Sequence, residues 1–162
     1  PSTDHYGVKA IANVPNYQLI TIHNMRMNQK GIAAKISSLF AEYDLSIDAE
    51  CDGDSCRKYA IVPHENISKL ITTLDNMGHP AKLESGMERI ALIGEGMNYI
   101  SNTNSKTADI LFLGTLRSKG IPISMYTQMQ ESVIQSCFIE KKYTHQAITH
   151  LYRAFEFHRN GK

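Results

Sequence analysis

The sequence predicts an α+β protein made of two βαββαβ units, the first inserted within the second. The same order of β-rich and helical runs occurs twice along the chain. The second run ends in a helix and a polar tail, "HRNGK", without a closing strand. A leftover strand-like run near the N-terminus, "GVKAIAN" (7–13), can supply it and so protect an otherwise open sheet edge.

The first unit opens with "YQLITIHN" (17–24), a β-rich run. A helix follows, with Ile32, Ile36, Leu39, Phe40 and Tyr43 on one stripe. "LSIDAE" (45–50) reads as a strand, "CDGDSC" as a polar turn around Gly53, and "KYAIVP" as the returning strand, stopped by Pro63. A second helix aligns Ile67, Leu70, Ile71, Leu74 and Met77, and Gly78 is placed to end it. "AKLES" (81–85) closes the unit.

The second pass begins at "ERIALIGEGM" (88–97). A helix over 106–118 turns Ala108, Leu111, Phe112, Thr115 and Leu116 inward and ends at Gly120. "IPISMYT" and "SVIQSCFIE" are the next strands, joined by a turn over 128–131. The last helix carries Ala147, Ile148, Leu151, Tyr152 and Phe155. Ile32, Ile36 and Phe40 fall on Ala108, Phe112 and Leu116 when the two passes are superposed. The domains are then 16–85, and 1–15 plus 86–162 with strand 7–13 completing the second sheet.

The 162 residues suffice for such a pair. Hydrophobic residues make up 42% and charged residues 20%, ordinary for a soluble protein. A net charge of +1 gives no reason to expect nucleic acid or an anionic membrane as partner. No apolar run approaches the roughly 20 residues that cross a bilayer. The opening "PSTDHYG" has no export-signal pattern, and the start at Pro1 fits a fragment of a longer chain or equally the removal of an initiator Met. Three cysteines, Cys51, Cys56 and Cys137, point to reduced thiols in the cytoplasm.

"VKAIA", a strand ending in "NM", then "GIAAKISSLF", "LSIDAE", "IALIGEGM", "IPISMYT" and "AITHLYRAF" together resemble the paired ACT domains of aspartate kinase regulatory regions. The resemblance covers nearly the whole chain in motif order. It implies two ferredoxin-like ACT units that form a homodimer and bind an amino-acid feedback inhibitor. It also implies a parent chain whose kinase domain transfers the ATP γ-phosphate to the β-carboxylate of aspartate. The kinase motif Lys-Phe-Gly-Gly is absent from these residues, so ATP and Mg are expected only for that other domain. No catalytic residue and no cofactor are expected in this region.

The family's effector positions match Met25, Asn28, Gln29, Lys30, Gly31, Ile32 and Ala33, with Ile47 and Asp48 on the next strand. A helix start leaves backbone N–H groups unpaired and carries partial positive charge, so it suits a small carboxylate. The N–H groups of Gly31 to Ala33 would hold the effector's α-carboxylate, and Asn28 and Asp48 its ammonium groups. Glu50 could reach a basic side chain, which favours lysine over threonine. The bland alternative has Gly31 shaping a turn and Asp48 solvated at a strand end. The second unit has "NTNSKTADI" where the glycine would stand, so the fold itself does not demand Gly31, and a second effector site is not expected. Ile110 and Leu113 would give the 106–118 helix a second apolar side for a neighbour or partner subunit.

Rival classes fare worse. An RNA-binding domain with this element order would carry spaced aromatics on its central strands, and "KYAIVP" and "SVIQSCFIE" lack them. Cys51, Cys56 and His64 have C-x4-C spacing, a weak zinc signal, and His145 and His150 face different sides of a helix, so no metal is expected. There is no GxSxG elbow or P-loop. Gly94-Glu95-Gly96 reads as a strand end. The surviving alternative is an ACT-like scaffold that dimerises without binding a ligand.

Overall fold

The computed structural model describes residues 7–26, 30–95, 107–128 and 134–155. Along the chain lie β1 (Val8–Ile22), α1 (Ile32–Glu42), β2 (Ile47–Asp52), β3 (Arg57–Ile61), α2 (Ile67–Asn76) and β4 (Ala81–Gly94). They are followed by α3 (Ala108–Ser118), β5 (Met125–Gln128), β6 (Ile134–Glu140), a 3₁₀ turn over Lys141–Tyr143, and α4 (Thr144–Ala154). The chain divides into Asn16–Met87, called unit 2, and Pro1–Pro15 with Glu88–Lys162, called unit 1. Strand order is β2-β3-β1-β4 in unit 2 and β1-β4-β6-β5 in unit 1. No helix among the described residues is long and apolar enough to cross a membrane.

Two pairs of expected strands merge. The runs 7–13 and 17–24 form one strand, β1, and 81–85 and 88–97 form another, β4, ending at Gly94. Pro15 and Gly86 read as breaks in the sequence. The chain instead absorbs local distortion there without leaving the strand: Asn16 takes φ 69° and Gly86 φ 68°. "IPISMYT" shortens to Met125–Gln128, and the last strand is described from Ile134. The expected turn beyond Gln128 and the tail "HRNGK" lie outside the described residues.

In unit 2, alternation puts Ile20, Ile22, Tyr59 and Ile61 on the face covered by α1 and α2. Ile36 and Phe40 of α1 and Leu70 and Leu74 of α2 complete a core in which each is at most 1% exposed. Phe40 lies against Tyr59, with ring centroids 4.7 Å apart. Gly78, at φ 81°, ends α2 as expected from its place. β1 pairs antiparallel with β3, and β3 with β2.

Unit 1 repeats the plan with Ile90 and Leu92 of β4, Phe112 and Leu116 of α3, Cys137 and Ile139 of β6, and Ala147 and Leu151 of α4. Of the two residues expected on a second apolar side of α3, Ile110 is 53% exposed, whereas Leu113 packs against the core of unit 1. Tyr152 departs from the expected stripe and is exposed, while Phe155 just beyond α4 is buried. The buried carboxylate of Glu88 accepts hydrogen bonds from Asn13 Nδ2 at 2.7 Å and from the Thr144 hydroxyl at the start of α4. These bonds compensate the burial of a charged group.

Candidate functional site

The loop between β1 and α1 is held at both ends. His23 donates its N–H to Pro80 O at 2.9 Å, and Met25 donates its N–H to Ser55 O at 3.0 Å. These bonds set the end of β1 beside the start of β4 and the β2–β3 turn. Met25 is only 2% exposed and packs in the core of unit 2, so it supports the loop and does not face a ligand. Asn28 and Gln29 lie outside the described residues.

Gly31 is the N-cap of α1 at φ 80°, ψ −5°. That left-handed conformation favours glycine by itself. The cap of α3 in unit 1, Thr107, is extended at φ −94°, ψ 165° and needs no glycine. The difference between the two loops is therefore accounted for by backbone geometry, without appeal to a bound molecule. A methyl group built on Gly31 would meet nothing within 4 Å, so the space in front of the helix is open.

That space is a depression of about 350 Å³ lined by Lys30, Gly31, Ile32, Lys35, Met77 and His79. Among the described residues, no side chain caps α1. Its first-turn N–H groups point outward with the positive end of the helix dipole, and Lys30 and Lys35 add positive charge. The arrangement can accept a small carboxylate. Lys35, Met77 and His79 were not anticipated. Gly78 was the available signal, because a chain reversal there carries Met77 and His79 back toward the end of β1, where His79 Nδ1 lies 3.4 Å from His23 O.

The β2 residues do not line this depression. α1 and β2 are joined by a short turn and run in opposite directions, so the start of β2 lies at the far end of α1. An 11-residue helix separates its ends by about 16 Å. Ile47 packs against the core of unit 2. Asp48 sits in an irregularity of the β2–β3 register between Ile47 and Ala49. Its exposed carboxylate accepts the Tyr17 hydroxyl at 2.8 Å. Alternation along β2 places it on the exposed face with Glu50 and Asp52. Glu50 pairs with Arg57 at 3.5 Å, and Asp52 reaches the same guanidinium at 2.8 Å. Glu50 is therefore already engaged by a cation of its own unit. Ala33, half-buried in the first turn of α1, contributes backbone only.

Among the described residues, no three His, Cys, Asp or Glu side chains converge as a metal would require. Cys51 and Cys56 flank the β2–β3 turn as free thiols, and burial pushes the Cys51 thiol up from its ordinary value.

No protein-family model and no curated protein matches the sequence. Solved structures do match. The chain is similar to the aspartate kinase of Clostridium acetobutylicum, with TM-score 0.78 and 19% identity, over 91% of this chain and 35% of that one. It is similar to the regulatory subunit of aspartate kinase from Thermus flavus, with TM-score 0.76 and 19% identity, over 92% of this chain and 99% of the subunit. A third match is Escherichia coli aspartokinase III in complex with lysine and aspartate, with TM-score 0.73 and 17% identity, over 92% of this chain and 33% of that one. The chain thus spans about a third of each whole kinase and almost all of the separate regulatory subunit. At these identities the likeness establishes the fold, which is that of aspartate kinase regulatory domains.

Proposed function

We propose that this chain is the regulatory, amino-acid-binding module of an aspartate kinase, a tandem ACT pair through which an end product of the aspartate family inhibits the enzyme. The observation that carries the reading is the open, positively charged depression at the start of α1, in a fold shared with aspartate kinase regulatory domains. The effector's α-carboxylate would rest on the first-turn N–H groups from Gly31 to Ala33, with Lys30 and Lys35 at its sides. The kinase domain belongs to the parent assembly. Coupling of about 1–3 kcal/mol between the sites would suffice for allosteric control. A homodimer through the ACT units is part of the reading: β2 is the outer strand of unit 2, and a second copy could cover it.

Lysine and threonine remain the effectors to compare. The case for lysine through Glu50 is weakened by its pairing with Arg57, and Asp48, bonded to Tyr17, does not line the depression either. Escherichia coli aspartokinase III, with the same fold, has been seen with lysine and aspartate. Threonine needs no carboxylate partner for its side chain.

Thermal melting with lysine, threonine, methionine, isoleucine and S-adenosylmethionine tests the proposal. A ligand at 100 times its dissociation constant should add about 2.7 kcal/mol. For 150–250 residues that is a rise of roughly 5–11 °C in Tm. If none of the five moves Tm, the chain is a scaffold that dimerises without a ligand. Asp48→Ala, outside the depression, should leave a ligand-induced rise and the unliganded fold intact. Loss of the rise in that variant would bring Asp48 into the site.

A further inference from the structure

Unit 2 contains a second recess, distinct from the depression at α1. It has a volume of about 530 Å³ and lies at the start of α2, walled by Ile67, Ile71, Leu83 and Pro63. Gln18 is in its lining, and His64, Glu65 and Ser68 stand along it. The volume falls within the roughly 300–1,000 Å³ of small-molecule sites, and mostly apolar walls with a few polar groups are their usual composition.

The internal repeat supplies a control. Gln18 lines the recess with Ile67 at the start of α2, as Glu88 meets Thr144 at the start of α4, and the two are taken as equivalent. Ile67, Leu70 and Leu74 of α2 correspond likewise to Thr144, Ala147 and Leu151 of α4. In unit 1 the polar side chain on the strand is satisfied twice: Glu88 accepts from Asn13 and from Thr144 at the helix start. In unit 2 the strand partner is retained, with Gln18 Nε2 donating to Ser85 Oγ at 2.8 Å. The helix partner is lost, because Ile67 stands where the hydroxyl would be. The Gln18 carbonyl Oε1 is buried and has no hydrogen-bond partner among the described residues.

We infer that this recess binds a small aliphatic molecule whose polar end is an ammonium group. The ammonium would replace the missing helix-side donor at Gln18 Oε1, within reach of the Glu65 carboxylate, and the aliphatic body would cover Ile67, Ile71 and Leu83. This goes beyond the effector reading, since it invokes no residue of the α1 loop.

The test is an amide NMR titration of the whole chain with 3-methylbutylamine and, separately, with 3-methylbutanoate, which keeps the skeleton and reverses the charge. The amine is expected to shift the amides of Ile67 to Ile71 saturably, and the acid to bind there at least tenfold more weakly. Gln18→Leu should weaken the amine at least tenfold, while Gln18→Glu should retain or strengthen it, which separates loss of the acceptor from loss of fold. The inference fails if neither probe moves these amides, if the acid equals the amine, or if Gln18→Leu binds as well as the parent. Shifts confined to residues 30–35 and 77–79 would also overturn it, while reporting separately on the α1 depression.

Discussion

Gly94→Ala is expected to destabilise unit 1 by about 3 kcal/mol, at the upper end of what an overpacked site normally costs. A methyl group there would sit 2.0 Å from Gly7 O and 2.9 Å from Val8 Cα, all of it backbone that no rotamer change can move aside. The contact is tight because Glu95 donates its N–H to Gly7 O at 2.9 Å, drawing the start of β1 against the end of β4. Relief would require that bond to lengthen or break, freeing the start of the strand that completes the unit. Gly114→Ala is the control. Gly114 lies inside α3 with nothing within 4 Å of the added methyl, so the change should stabilise by about 0.5–1 kcal/mol. Urea unfolding of both variants checks the pair. Equal effects of the same sign would show that the approach of β1 to β4 is not tight.

Phe40→Ala should cost unit 2 about 3–5 kcal/mol. The ring is 1% exposed and lies on Tyr59 of β3 in the core of unit 2. The near-ultraviolet circular dichroism of the tyrosines should weaken as Tyr59 loses its packing partner. A loss under about 1 kcal/mol would mean that α1 does not seal this core. Phe40→Leu keeps most of the volume and should recover most of the stability.

The helices were legible because helical periodicity is local. Ile36, Phe40, Leu70, Leu74, Phe112 and Leu151 announce their burial by spacing alone, and all are buried. The two long strands were not legible, because Pro15 and Gly86 are breakers in isolation and only pairing with neighbouring strands keeps the chain extended through them. At the site, Gly31 was readable as the start of a helix, and its φ of 80° supplies a reason that requires no ligand. Met77 and His79 lie more than forty residues from Gly31, and only the fold of unit 2 brings them to it. The bond between Asp48 and Tyr17 was not legible, because the two lie 31 residues apart and meet only through the fold. The ion pair of Glu50 with Arg57 was not legible, because it is made across the β2–β3 hairpin.

The central claim is that an amino-acid effector places its carboxylate on the first turn of α1. The most direct measurement is the amide NMR signal of Gly31, Ile32 and Ala33 during titration with lysine and with threonine. The account predicts saturable shifts at these amides with at least one of the two, diminished when both Lys30 and Lys35 are changed to alanine. Amides that stay unmoved at saturating concentrations of both amino acids would contradict it.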